Sequence, residues 1–295
     1  MNSIVAASSE AIVSTAVGKI LLYDLSIPQQ AGDTDLFAGK LALSSDGSVL
    51  AAAAPNSDAQ YVTDRSLNIY SLPSMNAISS FPYAFNDTSS TPFLADFSLS
   101  GSGGTLGQVL LSLPGSGGDF YTREVTGISG SPTVWTDSGN STPIDLSPDG
   151  TLIAVGNVLP PSAGSNLTSN IFKNGSLVAA VSGYGEAWID NGRLLVANYV
   201  QNGKEPTIFT GSTIYDATGA TLASIPPTLP PISNPIFPTP GSVYDANTNA
   251  IYSLTTGLAT WQGPVPQIGN QRLGAVAGSA VVYESGHQVI LSATN

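Results

Sequence analysis

The chain has no cysteine among its 295 residues. Disulfides, thiolate metal sites and cysteine nucleophiles are therefore excluded. It has one histidine, His287, so a site built from several imidazoles is excluded as well. Charge is scarce: Asp, Glu, Lys and Arg make up 9% of the chain, against roughly 25% in an average soluble domain. The eight Lys and Arg are outnumbered by 20 Asp and Glu, for a formal net charge of −12. No basic patch is available to neutralise phosphates, which argues against a nucleic-acid partner. No apolar run reaches the roughly 18 residues that a spanning helix needs, so no membrane insertion is expected. The first residues, Met1-Asn-Ser-Ile-Val-Ala-Ala-Ser-Ser-Glu10, lack the basic and apolar regions of a signal peptide.

What is present is hydrophobic and uncharged. Apolar residues reach 42% of the chain, with 31 Gly and 21 Pro cutting them into short runs. No helix-period segment of useful length survives these interruptions. The polar surface must consist mainly of Ser, Thr, Asn, Gln and Gly. Such a surface responds weakly to acid, because few carboxylates are available to protonate. The composition fits an extracellular protein facing acidic surroundings. Four Asn-x-Ser/Thr sequons point the same way, at Asn86, Asn140, Asn166 and Asn174. Each is a glycosylation candidate, since such an acceptor implies a surface position in a secreted protein.

One phrase organises the chain. Pro143–Val155 reads Pro-Ile-Asp-Leu-Ser-Pro-Asp-Gly-Thr-Leu-Ile-Ala-Val, two apolar strands about a Ser-Pro-Asp-Gly turn. Pro148 presets φ for the turn, Asp149 can accept from its own backbone, and Gly150 tolerates positive φ. Lys40–Ala54 repeats the phrase as Lys-Leu-Ala-Leu-Ser-Ser-Asp-Gly-Ser-Val-Leu-Ala-Ala-Ala-Ala. Ser-Gly-Ser-Gly-Gly at 100–104 and Asp190-Asn191-Gly192 take the turn's place in two further units. Val-Tyr-Asp at 243–245 and Val-Tyr-Glu at 282–284 open the last two units, each followed by a short turn and more aliphatics. With Ser9 as the first turn, the centres recur near Gly47, Gly104, Gly150, Gly192, Thr248 and Gly286, spaced roughly 38 to 57 residues apart. A short outer strand is expected at Asn76–Phe81, strands at Asp119–Val125 and Thr133–Thr136, and hairpins from Ser169–Lys173 with Ser176–Val181 and from Ser212–Asp216 with Ala220–Ile225. Residues 226–240 contain seven prolines, which favours an extended connector over a ladder strand.

An isolated two-stranded hairpin is marginal, because one face and both edges stay open. Repetition around a ring covers them. At Leu43-Ser-Ser-Asp-Gly-Ser-Val-Leu-Ala and Leu146-Ser-Pro-Asp-Gly-Thr-Leu-Ile-Ala the sequence resembles WD40-like and YVTN-type β-propellers. Leu22-Tyr-Asp-Leu and Ile69-Tyr-Ser-Leu resemble the third strand of such blades. No Gly-His…Trp-Asp signature accompanies them. The resemblance implies an all-β propeller formed by residues 1–295 as a single domain. Seven blades are expected, with six as the alternative, and the ring is expected to close by pairing of the N- and C-terminal strands. It also implies a surface or adhesion module of an archaeal cell, or a structural protein of an archaeal virus particle.

Catalytic patterns are absent. There is no Gly-x-Ser-x-Gly, no phosphate loop and no dinucleotide fingerprint. His287 falls in a Glu-Ser-Gly-His turn and is read as a solvated turn residue. Asp46, Asp149, Asp190, Asp216 and Asp245 fall at turns or strand ends, where a structural role suffices. Asp145, Asp96 and Glu186 lie upstream of the repeated turns and are candidates to face a central channel, where they would offer a cation site or a carboxylate pair. Trp135, Trp188 and Trp261 suit either a ligand-binding face or the space between blades; the second reading is preferred. The expectation is thus a non-enzymatic binding module without catalytic residues, cofactor or metal. Its partners would be proteins or cell-surface glycans, or other subunits of a surface assembly or virion. A polysaccharide hydrolase or lyase using channel carboxylates is the alternative, and an intracellular scaffold is a third reading.

Overall fold

The computed structural model describes residues 3–7, 10–14, 20–24, 29–34, 40–43, 48–53, 66–82, 93–100, 105–114, 121–126, 133–137, 140–149, 151–158, 167–173, 176–202, 205–232, 235–264, 274–277, 280–285 and 288–293. Every regular element among them is a β-strand. The first sheet joins β1 (Ser3–Ala7), β2 (Glu10–Ser14), β3 (Ile20–Asp24) and β4 (Gln29–Thr34). The second joins β5 (Lys40–Leu43), β6 (Val49–Ala53), β7 (Ser66–Ser71) and β8 (Asn76–Pro82). The third joins β9 (Phe93–Ser100), β10 (Thr105–Pro114), β11 (Tyr121–Thr126) and β12 (Thr133–Asp137). The fourth joins β13 (Asn140–Leu146), β14 (Leu152–Val158), β15 (Thr168–Lys173) and β16 (Ser176–Ser182). The fifth joins β17 (Tyr184–Trp188), β18 (Arg193–Asn202), β19 (Glu205–Asp216) and β20 (Thr221–Ile225). The sixth joins β21 (Ile236–Thr239), β22 (Ser242–Asp245), β23 (Ala250–Ser253) and β24 (Ala259–Gln262). The seventh has three strands, β25 (Gly274–Ala277), β26 (Ala280–Ser285) and β27 (Gln288–Ala293).

Within each sheet the strands follow chain order and pair antiparallel. Each is therefore a four-stranded meander, or a three-stranded one at the end. The first strands form the succession between sheets: β1 lies beside β5, β5 beside β9, β9 beside β13, and β13 beside β17. β21 lies beside β25, and β25 beside β1.

The core sits between sheets. Ile12 and Leu22 of the first meet Leu41, Leu50 and Ala52 of the second. Leu152, Ala154, Ile171 and Val181 of the fourth meet Trp188, Leu194, Val196 and Tyr215 of the fifth. The opposite face of the fifth sends Ile189, Leu195, Ile214 and Ile225 to Val243 and Leu254 of the sixth. Tyr244 and Ile251 then meet Val281 of the seventh. Alternate residues of one strand thus serve opposite junctions: Leu194 and Val196 one, Leu195 the other. Successive side chains point to opposite faces of a strand, and a sheet covered on both faces needs an unbroken apolar run. Leu194-Leu195-Val196-Ala197 is such a run.

Three expectations are corrected. The chain ends do not share a sheet: all five residues of β1 pair with β2, and β27 pairs with β26. The short connection to β2 makes local pairing the cheaper closure of the backbone. The repeat also changes phase. Ser-Pro-Asp-Gly joins the first and second strands of the fourth sheet, whereas Asp245–Asn249 and the equivalent turn of the seventh join second to third strands. Each of the last two sheets therefore begins earlier than its Val-Tyr-acid signal. Finally, the proline-rich segment ends as a strand. β21 contains Pro238, placed at a register shift between the pairs Ile236–Tyr244 and Thr239–Ser242. A first strand has ladder bonds on one side only, so a missing N–H is tolerated there. The earlier part of the segment is a connector, held by Leu229, which is buried with Ile225 and Val243.

Candidate interaction surface

The carboxylates that the sequence offers for chemistry are occupied in holding turns. In the fourth sheet the Thr151 amide and hydroxyl both donate to Asp149 Oδ1, at 3.0 and 2.9 Å. The Ser147 hydroxyl donates to the same oxygen at 2.8 Å, and the Leu152 amide donates to Ser147 Oγ at 3.0 Å. Asp190 accepts from the Gly192 amide at 2.9 Å and from Arg193 Nε at 2.8 Å. Asp216 accepts from the Thr218 hydroxyl, the Thr218 amide and the Ala220 amide at 2.7, 2.8 and 2.9 Å. Asp245 accepts from the Asn247 amide at 2.9 Å and the Thr248 hydroxyl at 2.8 Å. A carboxylate aimed at its own backbone two residues on is an Asx turn, and it suits a tight reversal.

These bonds set the electrostatics. Burial pushes the Asp149 carboxyl up, but the Thr151 amide and the Ser147 and Thr151 hydroxyls outweigh it and hold it below the ordinary carboxylate value. Burial also opposes ionisation at Asp190, and the Arg193 guanidinium and Gly192 amide again win. Asp216 is lowered by the Thr218 hydroxyl first, then by the Ala220 and Thr218 amides. All three stay ionised and engaged. None has the raised pKa of a general acid.

The channel candidates lie on the first strands of three successive sheets, Asp96 on β9, Asp145 on β13 and Glu186 on β17. Asp145 Oδ2 accepts the Trp188 amide of the next sheet at 2.7 Å, so this carboxylate joins two sheets. Asp96 lies in β9 opposite Leu110 and Glu186 lies in β17. Among the described residues no group of three His, Cys, Asp or Glu is placed to hold a metal ion. His287, Asp46, Asn86, Asn166 and Asn174 lie outside the described residues. Asn140 opens β13, paired with Val158. Trp188 is 4% exposed and fills the junction between the fourth and fifth sheets. Trp261 is partly buried beside Tyr244 and Ile251. Both fill space between sheets. Trp135 lies in β12 opposite Arg123.

What the sequence reading missed is an arm. β18 and β19 pair from Arg193–Asp216 out to Asn202–Glu205. Their neighbours stop earlier: β17 reaches only Ala197, and β20 only Ser212. The outer part of the hairpin, from Tyr199 to Phe209, therefore extends past its own sheet. Tyr199 and Phe209 pair edge to face with ring centroids 5.6 Å apart. Val200 and Ile208 are the next cross-strand pair, and each is 55% exposed. The arm leaves the sheet at Gly211, whose φ is +128° and where a Cβ would sit 2.5 Å from the Ile225 carbonyl oxygen. Only glycine fits there. Further exposed aliphatics lie on outer strands, Ile78 on β8, Leu177 and Val178 on β16, and Leu222 on β20. The signal available was the long strand-type run from Arg193 to Asp216 about the turn residues Gln201-Asn-Gly-Lys204.

Comparison with known proteins places the architecture. A chain of the hydrazine synthase of Kuenenia stuttgartiensis superposes with a TM-score of 0.64 at 14% identity, covering 99% of this chain and 95% of that one. A chain in the crystal structure of a mitotic checkpoint complex superposes at 0.60 and 13% identity, covering 100% of this chain and 90% of that one. The chain folds as a β-propeller. No family model and no curated protein matches it. At these identities the likeness is one of fold, and fold alone does not carry function. A propeller fold is compatible with a protein-interaction module.

Proposed function

We propose that this propeller is a non-enzymatic binding module displayed outside a cell or on a virion surface. The arm of the fifth blade is the main contact. The observation that carries this reading is the exposed Val200–Ile208 pair, held beyond the last pairs of the neighbouring strands on a two-stranded stem. Apolar residues at the centre of a contact, stiffened by an aromatic pair beneath, are how protein interfaces concentrate their energy. In the same reading the seven sheets are seven blades closed into a ring. The support is the run of first-strand contacts that brings β25 back beside β1. The four sequons and the uncharged polar composition support the extracellular setting. Protein partners suit the arm; a cell-surface glycan or another subunit of a surface assembly is the alternative ligand class.

The competing reading is a polysaccharide hydrolase or lyase. It would need two carboxylates about 5–10 Å apart at a substrate groove. The engagement of Asp145, Asp149, Asp190, Asp216 and Asp245 in turns and junctions argues against it. A single comparison separates the two. The purified chain is offered a panel of polysaccharides and of immobilised glycans and surface proteins. Retention on the immobilised panel, with no new reducing ends or unsaturated sugars released, is the expected result. Release of such products, abolished by D96N or E186Q, would overturn the binding reading. Glycan mass on Asn86, Asn140, Asn166 or Asn174 of native material tests the compartment.

A further inference from the structure

The exposed aliphatics of the outer strands are set by a repeated irregularity. In β16 the pairs Phe172–Leu177 and Ile171–Ala179 leave Val178 as an extra residue. In β20 the pairs Tyr215–Thr221 and Ile214–Ala223 leave Leu222. The same step of the repeat leaves Ile78 in β8, Ala31 in β4 and Thr260 in β24. A bulge on an edge strand interrupts the ladder and re-aims a side chain. It guards that edge against strand addition, so a contact made there is made by side chains.

The fourth and fifth blades meet near two of these bulges. A Cβ on Gly219, in the turn between β19 and β20, would lie 2.7 Å from Ala179 Cβ and 3.3 Å from Val181 Cγ1 of β16. Ala217 of the same turn packs on the cluster that holds Val181. Leu177, Val178 and Leu222, each between 44 and 57% exposed, therefore belong to one aliphatic patch across the two blades. No charged residue lies in β16, in β20 or in the turn Ala217–Ala220. Charge stands at the border, on equivalent residues of the two third strands. Lys173 closes β15 and is exposed, and Asp216 closes β19. The bonds that Thr218 and Ala220 donate to Asp216 all fall on Oδ1, which leaves Oδ2 outside the turn network.

The net charge of −12 sets a condition on self-contact. Two copies repel wherever their acidic surfaces meet, and this patch holds no acid. A two-fold axis parallel to the propeller axis sets the fourth blade of each copy against the fifth of the other, since residue i meets j and j meets i. Lys173 of one copy then faces Asp216 of the second, and the reverse. The border supplies two contacts of opposite charge while the aliphatics meet at the centre.

We propose that the outer strands of the fourth and fifth blades form a two-fold contact between two copies of this chain. Strands of seven and five residues cover an area at the low end of specific interfaces, so the dimer is reversible. This surface is separate from the arm and goes beyond the reading given for it.

The test is sedimentation of the whole chain from about 1 µM to 1 mM, the range in which a small interface dissociates. Hydrogen exchange locates the contact. Expected are a monomer–dimer equilibrium and slower amide exchange over 176–182 and 217–224 in the dimer. V178S with L222S should keep the urea midpoint and weaken the dimer about tenfold or more. K173E sets acid against acid at both border contacts and should weaken it to a similar degree. A220K places a cation beside an intact Asp216 and should weaken it too. An equimolar mixture of K173E and A220K chains should recover the association as a heterodimer, because each border contact then joins opposite charges. A monomer throughout the range, a dimer protected elsewhere, or a dimer indifferent to V178S with L222S overturns the proposal. So does a mixture that associates no better than K173E or A220K alone. If the chain stays monomeric while the immobilised panel retains it, only this contact falls.

Discussion

Asp145 and Trp188 are 43 residues apart in sequence, and they tie two blades together through one bond, the Trp188 amide donating to Asp145 Oδ2 at 2.7 Å. A second bond runs parallel to it. The Asp149 amide donates to Asn191 Oδ1 at 2.9 Å, linking the turn of the fourth blade to that of the fifth. Between them lies the Leu152, Ile171, Leu194 and Trp188 cluster. Removing the carboxylate strands a buried N–H at the blade junction, and such a group costs roughly 1–3 kcal/mol. D145A should lower the unfolding free energy by that amount, read as a lower urea midpoint with an unchanged slope. D145N keeps an acceptor oxygen and should recover most of the loss. Trp188 fluorescence reports the junction directly. An unchanged midpoint in D145A would show that the Asp145–Trp188 bond adds nothing to the junction beyond its apolar packing and the Asp149–Asn191 bond.

The turn carboxylates predict an acid response of defined sign. Asp149, Asp190 and Asp216 have folded pKa values below their ordinary ones. The unfolded state therefore binds protons first as pH falls, and stability declines with it. Their contribution is complete above the unfolded carboxylate range, about pH 4, and is lost as pH falls through the lower folded values. The urea midpoint should be flat from about pH 5 to 7 and fall only below about pH 4. D149N keeps the Oδ1 acceptor and removes the titration. It should flatten the acid limb, as should D190N. The Asp190–Arg193 ion pair adds little to this, since both groups are partly exposed and solvent screens them. A limb unaltered in both variants would move the titration to other groups.

The fold class was legible because its signal is periodic. Ser147-Pro-Asp-Gly and the runs either side announce a hairpin by local chemistry alone, and the recurrence announces the architecture. The phase of the last two blades was not legible. A Val-Tyr-acid turn reads the same between first and second strands as between second and third. What distinguishes them is the preceding Ile236–Thr239 strand, which Pro235, Pro238 and Pro240 disguised. The separate pairing of the chain ends was hidden for a related reason: one strand sequence does not state which edge it will choose. Asp149, Asp190, Asp216 and Asp245 do sit at turns, as the sequence indicated, but Asp145 was invisible as a junction residue because its partner is a backbone amide, which carries no sequence mark. The arm was hidden for the opposite reason. Val200 and Ile208 look like core residues in sequence, and only the early ends of β17 and β20 leave them exposed.

Asn249 is a tie within the sixth sheet that the sequence also conceals. It is fully buried with φ at +49°. Its Oδ1 accepts the buried Tyr244 hydroxyl at 3.0 Å, and its Nδ2 donates to the Pro264 carbonyl at 2.9 Å. Asparagine is among the residues that tolerate the left-handed region. N249A leaves the Tyr244 hydroxyl and the Pro264 carbonyl short of a partner and strains the turn. A loss of about 2–4 kcal/mol is expected. N249G relieves the strain and keeps the polar loss, so it should lie between the wild type and N249A. Equal stability of N249A and N249G would remove backbone strain from the account. Y244F separates the hydroxyl bond from the packing of the ring.

The arm makes the sharpest division between stability and binding. Val200 and Ile208 lie beyond the last pairs of β17 and β20 and are 55% exposed. Surface substitutions away from caps, cores and networks usually change stability by less than about 0.5 kcal/mol. V200S with I208S should therefore unfold at the wild-type urea midpoint. If the pair anchors a partner, retention on the immobilised panel should fall about tenfold or more, since the few residues that carry an interface each cost more than about 1 kcal/mol when truncated. Phe209 gives the contrasting case. F209A removes the ring beneath, breaks the edge contact with Tyr199 and loosens the stem. Exchange of the Tyr199–Phe209 amides should then speed up while the rest of the blade keeps its protection. Binding lost in F209A but intact in the serine pair would assign the contact to the arm's aromatic face. Binding intact in both would take the arm out of the interface.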